Sequence, residues 1–130
     1  MANAVLVDSN YYIGRLRADL DPFAELDATG ERWEPMTCGM VMLEVLRGIR
    51  HPQDYTHYCK TFEVMTCIAT TSRIWTSATD LLRGLARRGL TIPPQDAIIA
   101  ASALSVGAPV LTFDQHFSHI PGLIVLDSLS

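Results

Sequence analysis

Between Asp96 and Asp114 run seventeen residues without a single Asp, Glu, Lys or Arg, and no other feature limits the fold so strongly. Its first part, from about Gln95 to Val106, is apolar nearly all round when wound as a helix. A helix without a polar face has to be covered on every side, so this one is expected inside the protein. Pro93 and Pro94 stand just before it, where the first-turn N–H groups have no intrahelical partner and proline costs nothing. Gly107 and Pro109 interrupt the run, and Pro109–Thr112 reads as a strand, with Leu123–Leu126 as another. Those interruptions and the short length argue against a membrane span.

Upstream, strand-like and helical stretches alternate. Ala4–Val7 is a short run of strand formers that ends at Asp8-Ser9-Asn10, a polar cluster suited to cap a helix from about Tyr11 to Leu20. Pro22–Ala28 reads as a second short helix closed by Gly30, and Glu34–Thr37 as a short strand. Met42, Val45, Leu46 and Ile49 follow at i, i+3, i+4 and i+7, the stripe of an amphipathic helix from about Cys38 to Arg50. Pro52–Phe62 reads as a further helix, and Val64–Ala69 as a buried strand or an irregular connection. After Thr70-Thr71-Ser72, the residues Ile74, Trp75, Ala78, Leu81, Leu82 and Leu85 share one helical face, and Gly89 is placed to end that helix. Alternation of this kind predicts an α/β sandwich with a mostly parallel sheet.

At 130 residues the chain fits one domain, 1–130, and at 48% hydrophobic it carries enough apolar material for a core. Cys38, Cys59 and Cys67 form no CxxC pair and are odd in number, so buried reduced thiols are expected rather than a disulfide framework. No basic–apolar–small leader precedes the first strand, and a soluble cytoplasmic protein is the expectation. A net charge of −4 runs against the basic footprint usual for nucleic-acid binders. Setting aside four acids, Asp8, Glu44, Asp96 and Asp114, leaves ten acidic against ten basic residues and a neutral remainder, so the objection is weak.

Each of those acids has an ordinary explanation. Asp8 caps a helix, Glu44 snorkels at the margin of an apolar stripe, Asp96 caps a turn after two prolines, and Asp114 leaves a strand through a turn. Their combination carries more. Asp8 and Asp114 stand at the C-terminal ends of strands, where open α/β sheets carry their ligand crevice. Asp96 opens a helix, whose amino end stabilises an ionised carboxylate by roughly 0.3–1 kcal/mol. Carboxylates about 4 Å apart repel by about 4 kcal/mol per pair at an effective dielectric near 20, so a convergent cluster needs a cation or protons. All-oxygen ligation points to Mg²⁺ or Mn²⁺, and such a centre suits phosphodiester hydrolysis without a nucleophilic side chain.

The motifs also resemble a known family. Val7-Asp8-Ser9-Asn10, the segment Leu43–Gly48 around Glu44, Ile92–Ala103 around Asp96, and Leu111–Phe117 followed by Ile120-Pro121-Gly122-Leu123 resemble, in order, the motifs of PIN-domain nucleases, the last of them those of VapC toxins in particular. The resemblance runs from Ala4 to about Leu126. It implies a three-layer α/β/α sandwich and a magnesium- or manganese-dependent endoribonuclease, the toxin half of a toxin–antitoxin pair, acting on RNA as a homodimer and inhibited by a VapB-like antitoxin. Residue by residue it makes Asp8, Glu44, Asp96 and Asp114 the metal carboxylates and Asn10 and Thr112 polar supports. His116, a further polar support, stands where many relatives carry a further acid, which bears on how many ions are held tightly.

Other signals are weaker. His116 and His119 are spaced HxxH, but no third His or Cys lies at a helpful spacing for zinc. Trp75, Met40 and Met42 are expected in the core or at a dimer face. Arg47, Arg50 and Arg87, with Arg88 beside it, are candidates for holding RNA phosphates, although helix ends and loops carry such residues routinely. Competing readings are a catalytically weak PIN-like binding partner and another metal-dependent phosphodiesterase or phosphatase. A receiver-like signalling domain also puts acids at strand ends, but it needs a lysine beside them, and Lys60 falls in an unrelated helical stretch.

Overall fold

A computed structural model describes residues 2–130. The first strand, β1 (Asn3–Val7), is central, and Val5, Leu6 and Val7 are fully buried, as a strand covered on both faces requires. Helices α1 (Ser9–Arg17) and α2 (Pro22–Asp27) lead to β2 (Trp33–Cys38), and α3 (Gly39–Leu46) and α4 (Pro52–Val64) lead to β3 (Thr66–Ile68). The long α5 (Ser72–Arg87) and α6 (Pro94–Ser105) then carry the chain back to β4 (Val110–Leu111) and β5 (Val125–Leu126). The strands lie in the order β3-β2-β1-β4-β5 and every pairing is parallel. Right-handed crossovers put the helices between β1, β2 and β3 on one face and α5 and α6 on the other, giving the α/β/α sandwich.

The order reverses between β1 and β4. From β1 the sheet grows outward through β2 and β3, and the next strand pairs on the other side of β1, with Leu6 opposite Val110 and Val7 opposite Leu111. Connections diverge there, so a crevice opens beyond the C-terminal ends of these two strands. Asp8 and Thr112 are the residues that follow them, and the Asp8 N–H donates to the Leu111 carbonyl at 2.9 Å.

The uncharged helix meets its expectation. In α6 every residue from Asp96 to Ala103 is buried, and the helix packs along α5. Thr71 caps α5 by accepting from the Ile74 N–H, and Gly89, at φ +75°, takes the left-handed conformation that ends it.

Other expectations need correction. The amphipathic helix expected to reach Arg50 stops at Leu46: Gly48 is a poor helix former, and Pro52 turns its neighbour His51 to extended backbone. Trp75, expected in the core or at a dimer face, is 54% exposed and so lies outside the core, because α5 presses Ile74, Ala78 and Leu85 inward and Trp75 lies at the edge of that stripe. Met40 and Met42 are half-buried against the core. Of the three free thiols only Cys38 is buried; Cys67 lies on the edge strand β3 and is exposed. Gln115–His119, assigned to no element from the sequence, forms a short 3₁₀ helix capped by the Asp114 carboxylate. Among the described residues, no helix is long and apolar enough to cross a membrane.

Candidate metal centre

Asp8 leaves β1 and enters α1, and its carboxylate accepts from the Ser9 N–H at 2.7 Å. It is therefore the helix cap that its position suggests. It is also the buried centre of a polar network, only 2% exposed. Its other oxygen, Oδ2, accepts from the Thr112 hydroxyl at 2.8 Å across the β1–β4 junction. The Thr112 Oγ1 in turn accepts from the Asp114 N–H at 3.0 Å, so one hydroxyl positions two of the acids.

Glu44 comes from α3, half-buried, and the Ser9 hydroxyl donates to its Oε1 at 3.2 Å. Ser9 thus ties Glu44 to the Asp8 turn. Asp96, on the first turn of α6, is 8% exposed. The 3₁₀ helix swings His116 back over the crevice, where Nδ1 lies 3.0 Å from Asp96 Oδ2 and 3.2 Å from Asp114 Oδ1. One ligand atom from each of Asp96, Asp114 and His116 falls within 4.8 Å of the others.

The electrostatics express burial first and neighbouring negative charge second. Burial pushes the Asp8 carboxyl up to about 6; the Thr112 and Ser9 hydrogen bonds pull it back, and the charges of Asp96 and Glu44 add to the rise. Glu44 is raised by burial and by Asp96, against the Ser9 hydrogen bond. Asp96 is raised by burial and by Asp114, with His116 opposing. His116 is raised, chiefly by its hydrogen bond to Asp96. Asp8, Glu44 and Asp96, each held above its ordinary value, form a site short of positive charge. Oxygen donors with that deficit fit a divalent cation.

Of the four acids predicted from the sequence, Asp96 and Asp114 lie within ligand distance of one another, while Asp8 and Glu44, joined through Ser9, stand near enough to feel the charge of Asp96. Asn10 lies beside them: its Oδ1 faces the Thr112 hydroxyl at 3.2 Å and accepts from the Phe113 N–H at 3.4 Å. Arg47 lines the same groove as Glu44, about 320 Å³ in volume with Trp75 on its wall, and pulls the Glu44 carboxyl back down. Arg50 and Arg87 are exposed and, among the described residues, form no ion pair. The HxxH pair does not act together, since His119 lies outside the group that His116 joins. A larger groove of about 620 Å³, between α5 and α6, contains none of the four acids.

Two features escaped the sequence reading. Ser9 was visible only as part of a capping cluster, and nothing in its spacing announces a partner 35 residues away. Phe113, half-exposed beside Asp114, stacks on Tyr11 with ring centroids 5.9 Å apart, and the Arg15 guanidinium lies 5.3 Å from its ring. The Tyr11 hydroxyl and Arg15 Nε both donate to Glu25, at 2.7 Å and 3.0 Å, which fixes this aromatic ledge at the rim.

The profile of the PIN domain matches residues 5–123, nearly the whole chain and all four acids. The chain belongs to the PIN domain family. Solved PIN-fold structures overlay it closely despite low identity. The Rickettsia felis VapBC2 complex, bound to a DNA fragment of its promoter, shares 19% identity with a TM-score of 0.78, over 95% of this chain and 97% of the other. DNA-bound VapBC of Salmonella typhimurium shares 20% identity with a TM-score of 0.77, over 97% and 98%. VapC20 of Mycobacterium tuberculosis, described as a sarcin–ricin loop cleaving toxin, shares 15% identity with a TM-score of 0.67, over 92% and 98%. No curated protein matches the sequence. At these identities the likeness to the solved structures concerns the fold, and this PIN domain has to be read from its own residues.

Proposed function

We propose that this PIN domain is a metal-dependent endoribonuclease, the VapC-type toxin of a toxin–antitoxin pair, with Mg²⁺ or Mn²⁺ held by Asp8, Glu44, Asp96 and Asp114. The observation that carries the reading is the gathering of these acids at the β1–β4 switch point, with Asp8 raised to about 6 by burial and like charge. Burying ionised carboxyls beside like charge is unfavourable unless protons or a cation offset it, and at neutral pH a cation is the better means.

When bound, the ion would lower the pKa of attacking water and neutralise charge on the phosphate. The chain's own part is geometric. Thr112 and Ser9 orient Asp8 so that its carboxylate faces the crevice, and Ser9 turns Glu44 toward the same space. The Asp114 backbone is held through Thr112 and Asn10 steadies the β4 end, so the acids are oriented before substrate arrives. Arg47, on the groove wall beside Glu44, is the best placed cation for an RNA phosphate, with Arg50 and Arg87 as more distant candidates.

The similarity of the fold to VapBC complexes supports a VapB-like antitoxin as partner; the reading also includes a homodimer and action in the cytoplasm by a single domain spanning 1–130. The test is cleavage of a small-RNA pool by purified protein with Mg²⁺ or Mn²⁺, with EDTA, and as Asp8→Asn. Metal-dependent cutting that disappears in Asp8→Asn is the expected outcome. Equal cutting by the variant sinks the assignment of Asp8. Metal binding without any cutting favours the catalytically weak binding partner instead.

A further inference from the structure

We propose that His116 is a nitrogen ligand of the divalent-metal centre, which makes this a mixed nitrogen–oxygen site that prefers Mn²⁺ to Mg²⁺. The inference rests on the reading of Asp96 and Asp114 as metal ligands and concerns the one group of that cluster that is not an acid.

Its basis is geometric. His116 Nδ1 lies 3.0 Å from Asp96 Oδ2 and 3.2 Å from Asp114 Oδ1, and it stands between the two rather than against one. Two ligands about 2.1 Å from an octahedral ion and at right angles lie about 3.0 Å apart, so these contacts, hydrogen bonds while no ion is bound, also have the spacing of neighbouring ligands around one cation. A single Nδ1–H can point at only one of the two carboxylates, whereas an ion at the centre satisfies all three atoms. The 3₁₀ helix that delivers His116 is anchored at both ends of this contact: the His116 N–H donates to Asp114 Oδ1 at 2.9 Å, and Phe117, the next residue, is fully buried. The ring is therefore held over the acids by the backbone and not merely drawn there by charge.

The consequence is a choice of ion. Mg²⁺ is hard and demands oxygen ligands, whereas Mn²⁺, also well served by oxygen, belongs to the first-row transition series, whose later members imidazole suits best. A nitrogen in the inner ligand set favours Mn²⁺ over Mg²⁺, and an acid at the same position returns the site to oxygen alone.

The test is electron spin-echo spectroscopy of Mn²⁺ bound to the full chain, which detects a directly coordinated nitrogen. Wild-type protein is expected to show ¹⁴N modulation that changes to the ¹⁵N pattern when histidine alone is isotopically labelled, a comparison that needs no substitution. His116→Asp should lose the nitrogen signal and His119→Ala should keep it. Displacement of bound Mn²⁺ should require roughly tenfold less Mg²⁺ in His116→Asp than in wild type. Bound Mn²⁺ that is lost in Asp96→Asn yet shows no nitrogen coupling in wild type overturns the role of His116 and leaves the carboxylate site standing. Absence of Mn²⁺ binding overturns the metal centre itself, and the inference with it.

Discussion

Asp8 does two jobs that pull in opposite directions. As the cap of α1 it stabilises the fold; as a carboxylate 2% exposed beside Asp96 and Glu44 it strains it. Asn is nearly isosteric and retains an acceptor for the Ser9 N–H, while its amide can donate to Thr112, whose own proton can turn to Asn10. Asp8→Asn is therefore expected to raise the stability of the metal-free protein at pH 8 by about 1 kcal/mol, read by urea denaturation, while abolishing RNA cleavage. A variant less stable than wild type would show that the cap outweighs the charge. Thr112→Val removes the hydroxyl that serves both Asp8 and the Asp114 N–H. Metal affinity by calorimetry should fall roughly 10–100-fold, because Asp8 loses the partner that orients it.

Among the elements, α6 couples core to centre. Its buried alanines let it lie close to its neighbours, and the same helix carries Asp96 on its first turn. Ala100→Leu inserts volume where there is none, at a cost of about 1–3 kcal/mol by urea denaturation, and the metal affinity should drop with it as Asp96 moves. Unchanged stability would mean that α6 has room to shift. The other decisive element is the 3₁₀ helix after β4. Five residues long, it has no periodicity to read, and its start depends on Asp114 accepting the His116 N–H. That is why the sequence suggested His116 as a polar support but not its reach to Asp96.

For the molecule as a whole, the crowded acids make stability a function of pH and metal. Asp8 has a folded value of about 6 against an ordinary 3.8, so the folded state holds its proton more tightly than the unfolded chain. Its stabilising contribution is full below about 3.8 and is lost as pH rises through 6, on the order of 3 kcal/mol. Asp96 and Glu44 are raised and act in the same direction, and so does His116, whose raised value makes its contribution vanish at higher pH. The melting temperature of metal-free protein is expected to fall between pH 5 and pH 8. Saturating Mn²⁺ or Mg²⁺ should raise it most at pH 8, because ions replace protons at the same groups. A melting temperature that ignores metal at pH 8 would contradict the proposed centre.

Read alone, the sequence determined the alternation of strands and helices, the burial of α6, and the identity of four acids at strand and helix ends. Those properties are local: periodicity, capping chemistry and the absence of charge over seventeen residues act within a few turns of the chain. Only the tertiary structure decided that Asp96 and Asp114 meet and that Asp8 and Glu44 stand beside them. That depended on the reversal of strand order at β1 and β4, which local patterns do not encode. It also decided that Ser9 bridges Asp8 and Glu44, that His116 closes over Asp96 and Asp114, and that Trp75 faces outward from the edge of its stripe. Each is a contact or an exposure set by where distant elements pack, and a side chain's neighbour across the fold leaves no mark on the spacing of its own segment.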